Sequence, residues 1–290
     1  MLPGTLWARV IEQTQHALDC GALRSISTNY EIVEQDGAYF LVRILADLTR
    51  KEKAAQQQAH TIRSGEMSNP FLPYEEDLFV ADLSETHLCL LNKFNVVDYH
   101  LLIVTRAFEE QESLLTLQDF LALWICLAEY DGLAFYNAGK NAGASQRHKH
   151  LQLIPLPLLS GTAIAIDTWL ASAEFEGTIA TIPQLPFAHG LMRLSSWVQS
   201  SNQAARETIA CYHTLLERLN LRAGSAYNLL ATREWLLIVP RSRESFESIS
   251  VNSLGFAGSL FVRDQAQMQR LKDQRPMTIL TQVAVPRDRG

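Results

Sequence analysis

The sequence has no Cys-x-x-Cys pair; Cys20, Cys89, Cys126 and Cys211 stand far apart along 290 residues. That spacing fits reduced, buried thiols better than a disulfide framework or a zinc ribbon. Positive charge is also in short supply. With 25 Lys and Arg against 31 Asp and Glu, the formal net charge is −6, so nothing advertises binding to nucleic acid or to an anionic membrane. An anionic ligand must then be met by a local site. No apolar run is long enough to span a bilayer, and Met1 to Arg9 lacks a signal-peptide pattern, which together predict a cytoplasmic protein.

What is present is a chain of ordinary soluble composition, 47% hydrophobic and 19% charged, long enough for about two domains or one large one. Near-helical spacing of Leu6, Val10, Ile11, Ala17 and Leu18 predicts a helix over Thr5 to Cys20, stopped by Gly21. Tyr30 to Glu34 and Ala38 to Ile44 flank an Asp36-Gly37 hairpin turn. Thr86 to Leu91 and Tyr99 to Thr105 read as strands, Thr116 to Tyr130 as a core helix, and Leu133 to Tyr136 as a short strand. A loop-rich stretch over Pro155 to Pro183 precedes an amphipathic helix over Ala205 to Leu219 and a hairpin of Ala226 to Leu230 with Trp235 to Pro240. The fold class expected is α+β, an antiparallel sheet with helices on one side. Leu101 to Arg106 and Leu236 to Arg241 are nearly the same string, which suggests a duplicated or extended half-barrel arrangement in which the second half prolongs the same sheet.

Chemistry concentrates in Asn137 to Pro155. If His148 to Ile154 is a strand, its period of two puts His148, His150 and Gln152 on one face and Lys149, Leu151 and Leu153 on the other. Upstream, Asn137 to Gln146 is small, polar and twice glycine-bearing, so its backbone N–H groups can turn around an anion. Two histidines two apart are also metal-ligand spacing. Yet no Cys or carboxylate lies in the strand to complete a tetrahedral site, and Gln152 is a poor metal ligand but a good donor to a phosphoryl oxygen; no metal-binding residue is assigned. A Walker A reading fails because Asn141 follows Gly139-Lys140, Ala134 replaces the first glycine, and a strand follows the loop.

Phe135-Tyr136-Asn137, Gly143-Ala144-Ser145-Gln146 and His148-Lys149-His150-Leu151-Gln152 together resemble the signature of the ATP adenylyltransferases. These are the diadenosine tetraphosphate phosphorylases of the histidine-triad superfamily, in its galactose-1-phosphate uridylyltransferase-like branch. Tyr227 to Trp235 and Val239 to Glu244 resemble the family's C-terminal segment, and Asn69-Pro70-Phe71 its entry to the core. The resemblance implies a histidine-triad-like catalytic part over residues 1–175 and a C-terminal part over 184–290 that completes the fold. It implies a nucleotidyltransferase that splits diadenosine tetraphosphate with phosphate into ATP and ADP.

In that family the second histidine of the pattern is the nucleophile, which implies an adenylylated His150 with His148 and Gln152 in support. A lysine reaching the substrate phosphates matches Lys51 best, with Lys53 the alternative. Asn92, after Leu91 at the end of a strand, matches a ribose-binding position, and His100 a supporting one. Asn137, Ala142, Gly143, Ala144, Ser145 and Gln146 match the phosphate loop. Thr232, Arg233 and Glu234 match a turn brought towards the distal phosphates or the second nucleotide, and Arg243 stands where relatives carry Lys or Arg. No covalently held cofactor is implied, only a divalent cation such as Mg2+ travelling with the substrate. The partners implied are small nucleotides, and the chain would be a monomer or small homo-oligomer.

The residues alone leave other classes open: a triad hydrolase, another nucleotidyltransferase, or a non-catalytic nucleotide-binding or metal-binding protein. Gln152 favours phosphorolysis over hydrolysis. An amide does not titrate near neutrality, whereas attacking water must shed protons and phosphate arrives already ionised.

Overall fold

A computed structural model of the chain describes residues 4–45, 69–159, 165–195 and 200–287. Lys51, Lys53 and the polar connection around them lie outside the described residues. After helix α1 (Leu6–Asp19) and the hairpin β1 (Thr28–Gln35) and β2 (Ala38–Leu45), the chain runs twice through one pattern. The first pass is β3 (Phe79–Asp82), β4 (His87–Leu91), β5 (Leu101–Thr105), helix α2 (Leu117–Leu127), β6 (Gly132–Ala138) and β7 (His150–Pro155). A short helix α3 (Ala165–Leu170) leads to the second: β8 (Glu174–Glu176), β9 (Ile179–Thr181), β10 (Gly190–Arg193), helix α4 (Ser201–Arg218), β11 (Tyr227–Ala231) and β12 (Trp235–Pro240).

The ten strands of the two passes form one open antiparallel sheet, with β1 and β2 apart from it; its order is β3-β4-β5-β7-β6-β11-β12-β10-β9-β8. Each half has the same strand order, and the halves meet where Tyr227 to Ala231 pair with Ala138 to Ala134. The duplication is therefore real, but the six-residue echo is not its trace. Leu101 to Thr105 is the third strand of its pass and Trp235 to Pro240 the last of its own, so the two strings resemble each other as apolar strands do. The sheet is open and does not close into a barrel.

Alternation within the central strands splits their side chains between two cores. Ala134, Tyr136, Leu151, Leu153, Leu229 and Ile238 join one core with α1, α2 and α4. Leu133, Phe135, Ile154, Leu230, Leu237 and Val239 join the other, beneath β1, β2 and a C-terminal layer of α5 (Ser253–Phe256), β15 (Ser259–Val262), α6 (Gln265–Gln274) and α7 (Pro276–Val283). The expectation of helices on one side is corrected: both faces are covered, because both sets of alternating side chains are apolar. A small hairpin, β13 (Ser245–Phe246) and β14 (Ile249–Ser250), leads into that layer.

On the first face α2 and α4 pack together, with Trp124 Nε1 donating to Thr208 Oγ1 at 2.8 Å and the rings of Phe120 and Tyr212 edge to face. Helix α2 starts where it does because Thr116 and Asp119 form a reciprocal capping box, which satisfies two otherwise orphaned N–H groups. Three of the cysteines are buried and free as expected, while Cys20 is exposed. No helix among the described residues is long and apolar enough to cross a membrane.

Candidate active site

The predicted face of β7 is present. His148, just before the strand, and His150, its first residue, both pack against the ring of Phe71 with centroids 5.5 and 5.4 Å away. A backbone carbonyl can only accept, so the 2.8 Å contact between His150 Nδ1 and the carbonyl of His148 places the ring proton on Nδ1. The lone pair is then on Nε2, which bonds to none of the described residues. Burial pushes the His150 pKa down to about 4, with the His148 carbonyl opposing it. At neutral pH this is an uncharged imidazole with Nε2 available to an electrophile.

His148 is differently engaged. Its Nε2 donates to the carbonyl of Thr105 at 2.7 Å, and its Nδ1 lies 2.9 Å from Asn69 Nδ2, so both ring nitrogens are occupied. Burial lowers its pKa as well. It is a neutral support whose own carbonyl fixes the tautomer of His150.

Gln152 ends a three-residue chain. Phe94 N–H donates to Asn92 Oδ1, which orients the Asn92 amide so that Nδ2 donates to His100 Nδ1 at 3.1 Å. His100 Nε2–H is then left to donate to Gln152 Oε1 at 3.1 Å. The Gln152 NH2 is thereby turned away from His100 as a donor. Asn92, matched to ribose, has both amide atoms partly engaged in this chain, and the side chain of Leu91 points into the core.

The loop after β6 keeps both glycines for steric reasons. Gly139 and Gly143 have φ of +82° and +88°, and a Cβ would come within 2.8 Å of Glu112 at the first and of the Val251 carbonyl at the second. The expected ring of donors from Ala142 to Gln146 is smaller than the sequence suggested. A 3-10 turn uses the N–H groups of Ala142, Gly143 and Ala144 inside the loop, on the carbonyls of Gly139 and Lys140. Ser145, exposed and with neither its amide nor its hydroxyl bonded to a described residue, is the donor that remains beside Gln146.

The loop is anchored from below. Asn137 Oδ1 accepts from Asn228 Nδ2, Ser253 N and Ser253 Oγ, while the Ala142 carbonyl accepts from Asn228 Nδ2. Buried Arg241 reaches Asn228 Oδ1 and the Val251 carbonyl. Asn137 is therefore scaffold beneath the loop, by its side-chain contacts, and the C-terminal layer holds the loop in place.

The turn Thr232-Arg233-Glu234 is not brought to His150. It follows Ala231, which pairs with Ala134 towards the far end of β6 from the loop, and β6 is long enough to separate the two by about 20 Å. Arg233 instead donates to the Leu127 carbonyl and pairs with Asp131. Arg243 does lie at the loop end of the sheet, exposed, just beyond β12.

Three residues were missed or undervalued. Asn69 and Phe71 touch the histidines directly, although their segment reads as a proline turn. Gln111 carries no periodic or motif signal, yet its side chain bonds both backbone groups of His150. A cleft of about 540 Å³ is lined by Gln111, Lys140, Ser145, Gln146 and Arg147 among others. His150 is not on its wall, and Gln111 links the two.

Comparison with known proteins bears on this arrangement. A family model described as the Ap4A phosphorylase N-terminal domain matches residues 1–172, and one described as the ATP adenylyltransferase C-terminal domain matches residues 183–286. Diadenosine 5',5'''-P1,P4-tetraphosphate phosphorylase 2 of Saccharomyces cerevisiae is 29% identical over 257 residues, 76% of each chain. Protein APA1 of the same yeast is 25% identical over an alignment of 325 positions that takes in 100% of this chain and 97% of the relative. The crystal structure of yeast Ap4A phosphorylase Apa2 in complex with Ap4A superposes with a TM-score of 0.81 at 25% identity, covering 99% of both chains.

Proposed function

From the premise that the chain belongs to the Ap4A phosphorylase and ATP adenylyltransferase family, we propose that it transfers adenylate through His150. The chain is a nucleotidyltransferase, and its reaction is phosphorolysis of diadenosine tetraphosphate, Ap4A. The observation that carries the assignment of His150 is its tautomer: Nδ1–H tied to the His148 carbonyl at 2.8 Å, leaving an uncharged Nε2.

The chemistry follows from that lone pair. Nε2 attacks the phosphorus nearest one adenosine, the Nε2–P bond forms, and the bridging P–O bond breaks to release ATP. A phosphate oxygen then attacks the same phosphorus, the Nε2–P bond breaks, and ADP leaves with His150 again neutral. The Gln152 NH2, aimed by the Asn92–His100 chain, and the Ser145 amide and hydroxyl donate to the oxygens on which charge develops. Arg243 is the cation at the loop end of the sheet proposed to meet the outer phosphates, together with Lys51. A divalent cation is proposed to come and go with the polyphosphate.

The test is product analysis with Ap4A in the presence and absence of phosphate, on the wild type and on His150→Ala. ATP and ADP are expected in equal amounts only when phosphate is present, and no turnover is expected from the variant. Steady release of AMP without phosphate would overturn phosphorolysis in favour of hydrolysis. Turnover by the variant would remove His150 from the chemistry.

A further inference from the structure

Strands β6 and β7 pair from Gly132 with Pro155 to Phe135 with Gln152 and then part. Continued by two residues, the ladder would set Asn137 opposite His150. The carboxamide of Gln111 stands there instead: its Nε2 donates to the carbonyls of Asn137 at 3.0 Å and of His150 at 3.2 Å, and its Oε1 accepts from the His150 N–H at 2.8 Å. Because two partners are carbonyls and one is an N–H, the amide has only one orientation that satisfies all three. We propose that Gln111 is a positioning residue for the nucleophile, a side-chain wedge that opens the sheet for substrate while replacing the ladder bonds that would otherwise hold His150.

The wedge is itself fixed. Gln111 is 2% exposed. Its N–H donates to the Arg147 carbonyl at 2.7 Å, and its carbonyl accepts from the Tyr136 hydroxyl. The neighbouring Lys149 N–H donates to the Glu109 carbonyl, so the segment that ends at Gln111 is laced to the approach of β7 on both sides of the Glu110–His148 bridge. The imidazole direction depends on this backbone, since Nδ1 is tied to the carbonyl of His148 two residues earlier. A rotation of the His150 peptide would swing Nε2 away from the phosphorus it has to reach. Substrate binding does not depend on it in the same way, because the Gln111 amide atoms are all taken by protein groups.

This rests on His150 being the nucleophile. The experiment measures the single-turnover rate of transfer of label from adenine-labelled Ap4A to protein without phosphate, alongside Ap4A affinity and thermal unfolding, for the wild type, Gln111→Met and Gln111→Glu. Met keeps the shape and removes all three bonds, while Glu keeps the acceptor for the His150 N–H and loses the two donations. The expected result is a labelling rate lowered by about 100-fold in Gln111→Met, the scale of a misplaced reacting group, with Ap4A affinity retained. Gln111→Glu should be slow at neutral pH and recover relative to the wild type as pH falls, because a protonated carboxyl regains one donor; this reading stands even if the Met variant fails to fold. Wild-type labelling rates in both variants, or loss of affinity in proportion to rate, would overturn the positioning role alone. Failure of the wild type to label at all would instead overturn His150 as nucleophile and the proposal with it.

Discussion

Strands β7 and β12 hold the same place in the two halves of the sheet and differ in almost everything else. β12 pairs with β11 along its length, from Tyr227 with Pro240 to Ala231 with Leu236, and its side chains go alternately to two apolar cores. β7 leaves its partner after Phe135 and Gln152, is held by a glutamine wedge, and begins at His150 directly after His148 and Lys149. The same topology thus gives a structural half where the ladder is complete and a chemical half where it is opened. Interrupting the pairing frees room and donors for a ligand, and its cost is a set of backbone groups that side chains must satisfy.

The opened strand also carries charge on its reverse face. Lys149, fully buried, donates to Asp119 Oδ2 at 2.9 Å and Glu109 Oε2 at 3.0 Å, and His87 donates to Asp119 Oδ1 at 3.0 Å. Burial alone would raise the pKa of Asp119, but the hydrogen bonds from His87 and Lys149 hold it below the usual carboxylate range. The largest effect expected from separating the two strands is therefore at this pair. Asp119→Ala should cost about 3–5 kcal/mol in urea unfolding by leaving Lys149 short of a partner. A loss below about 1 kcal/mol, the scale of an exposed pair, would mean that the reverse face of β7 is no more critical than a surface.

Next is a pH effect, largest at the half that bears His148 and His150. An unfolded His150 takes a proton below its ordinary value of 6.5, while the folded one refuses it until about 4. The unfolded chain then binds more protons, so this contribution is fully present above pH 6.5 and is lost as pH falls towards 4, by roughly 3 kcal/mol. His148 and His189, both lowered by burial, add to the same slope. His150→Gln should flatten the curve of unfolding free energy between those limits. An unchanged curve would show that His150 is not buried neutral.

The smallest effect is expected at the β11–β12 turn. Arg233→Ala removes a pair with the largely exposed Asp131, which should change stability by no more than about 1 kcal/mol and leave Ap4A kinetics unaltered. A clear loss of Ap4A affinity would restore this turn to the substrate site.

Local signals in the sequence reached far into the fold but not across it. Periodicity located β4 to β7, β11, β12 and the two packed helices because each buries one continuous face, and the His148–His150–Gln152 face followed from the strand period alone. β3 and β8 to β10 are too short to show a period, and the stretch read as loop-rich over Pro155 to Pro183 holds α3, β8 and β9. The duplication lies in strand order, which no short string carries, so the echo between Leu101 and Leu236 pointed to it through strands that do not correspond. The loop donors were overcounted because a 3-10 turn uses three of them internally, and residue types do not reveal that. Gln111 was invisible because its role comes from where Asn137 and His150 part, a contact made across the sheet. The covering of the second face was missed since the segment after Asn252 was read for no structure.

The most direct test of the account is the site of covalent adenylylation. Wild-type protein mixed with labelled Ap4A without phosphate, quenched and digested, should yield one adenylylated peptide, modified at His150, and the modification should be discharged as ADP when phosphate is added before the quench. Adenylate on His148 or another residue, or products formed at full rate with no adenylylated peptide at any time, would contradict it.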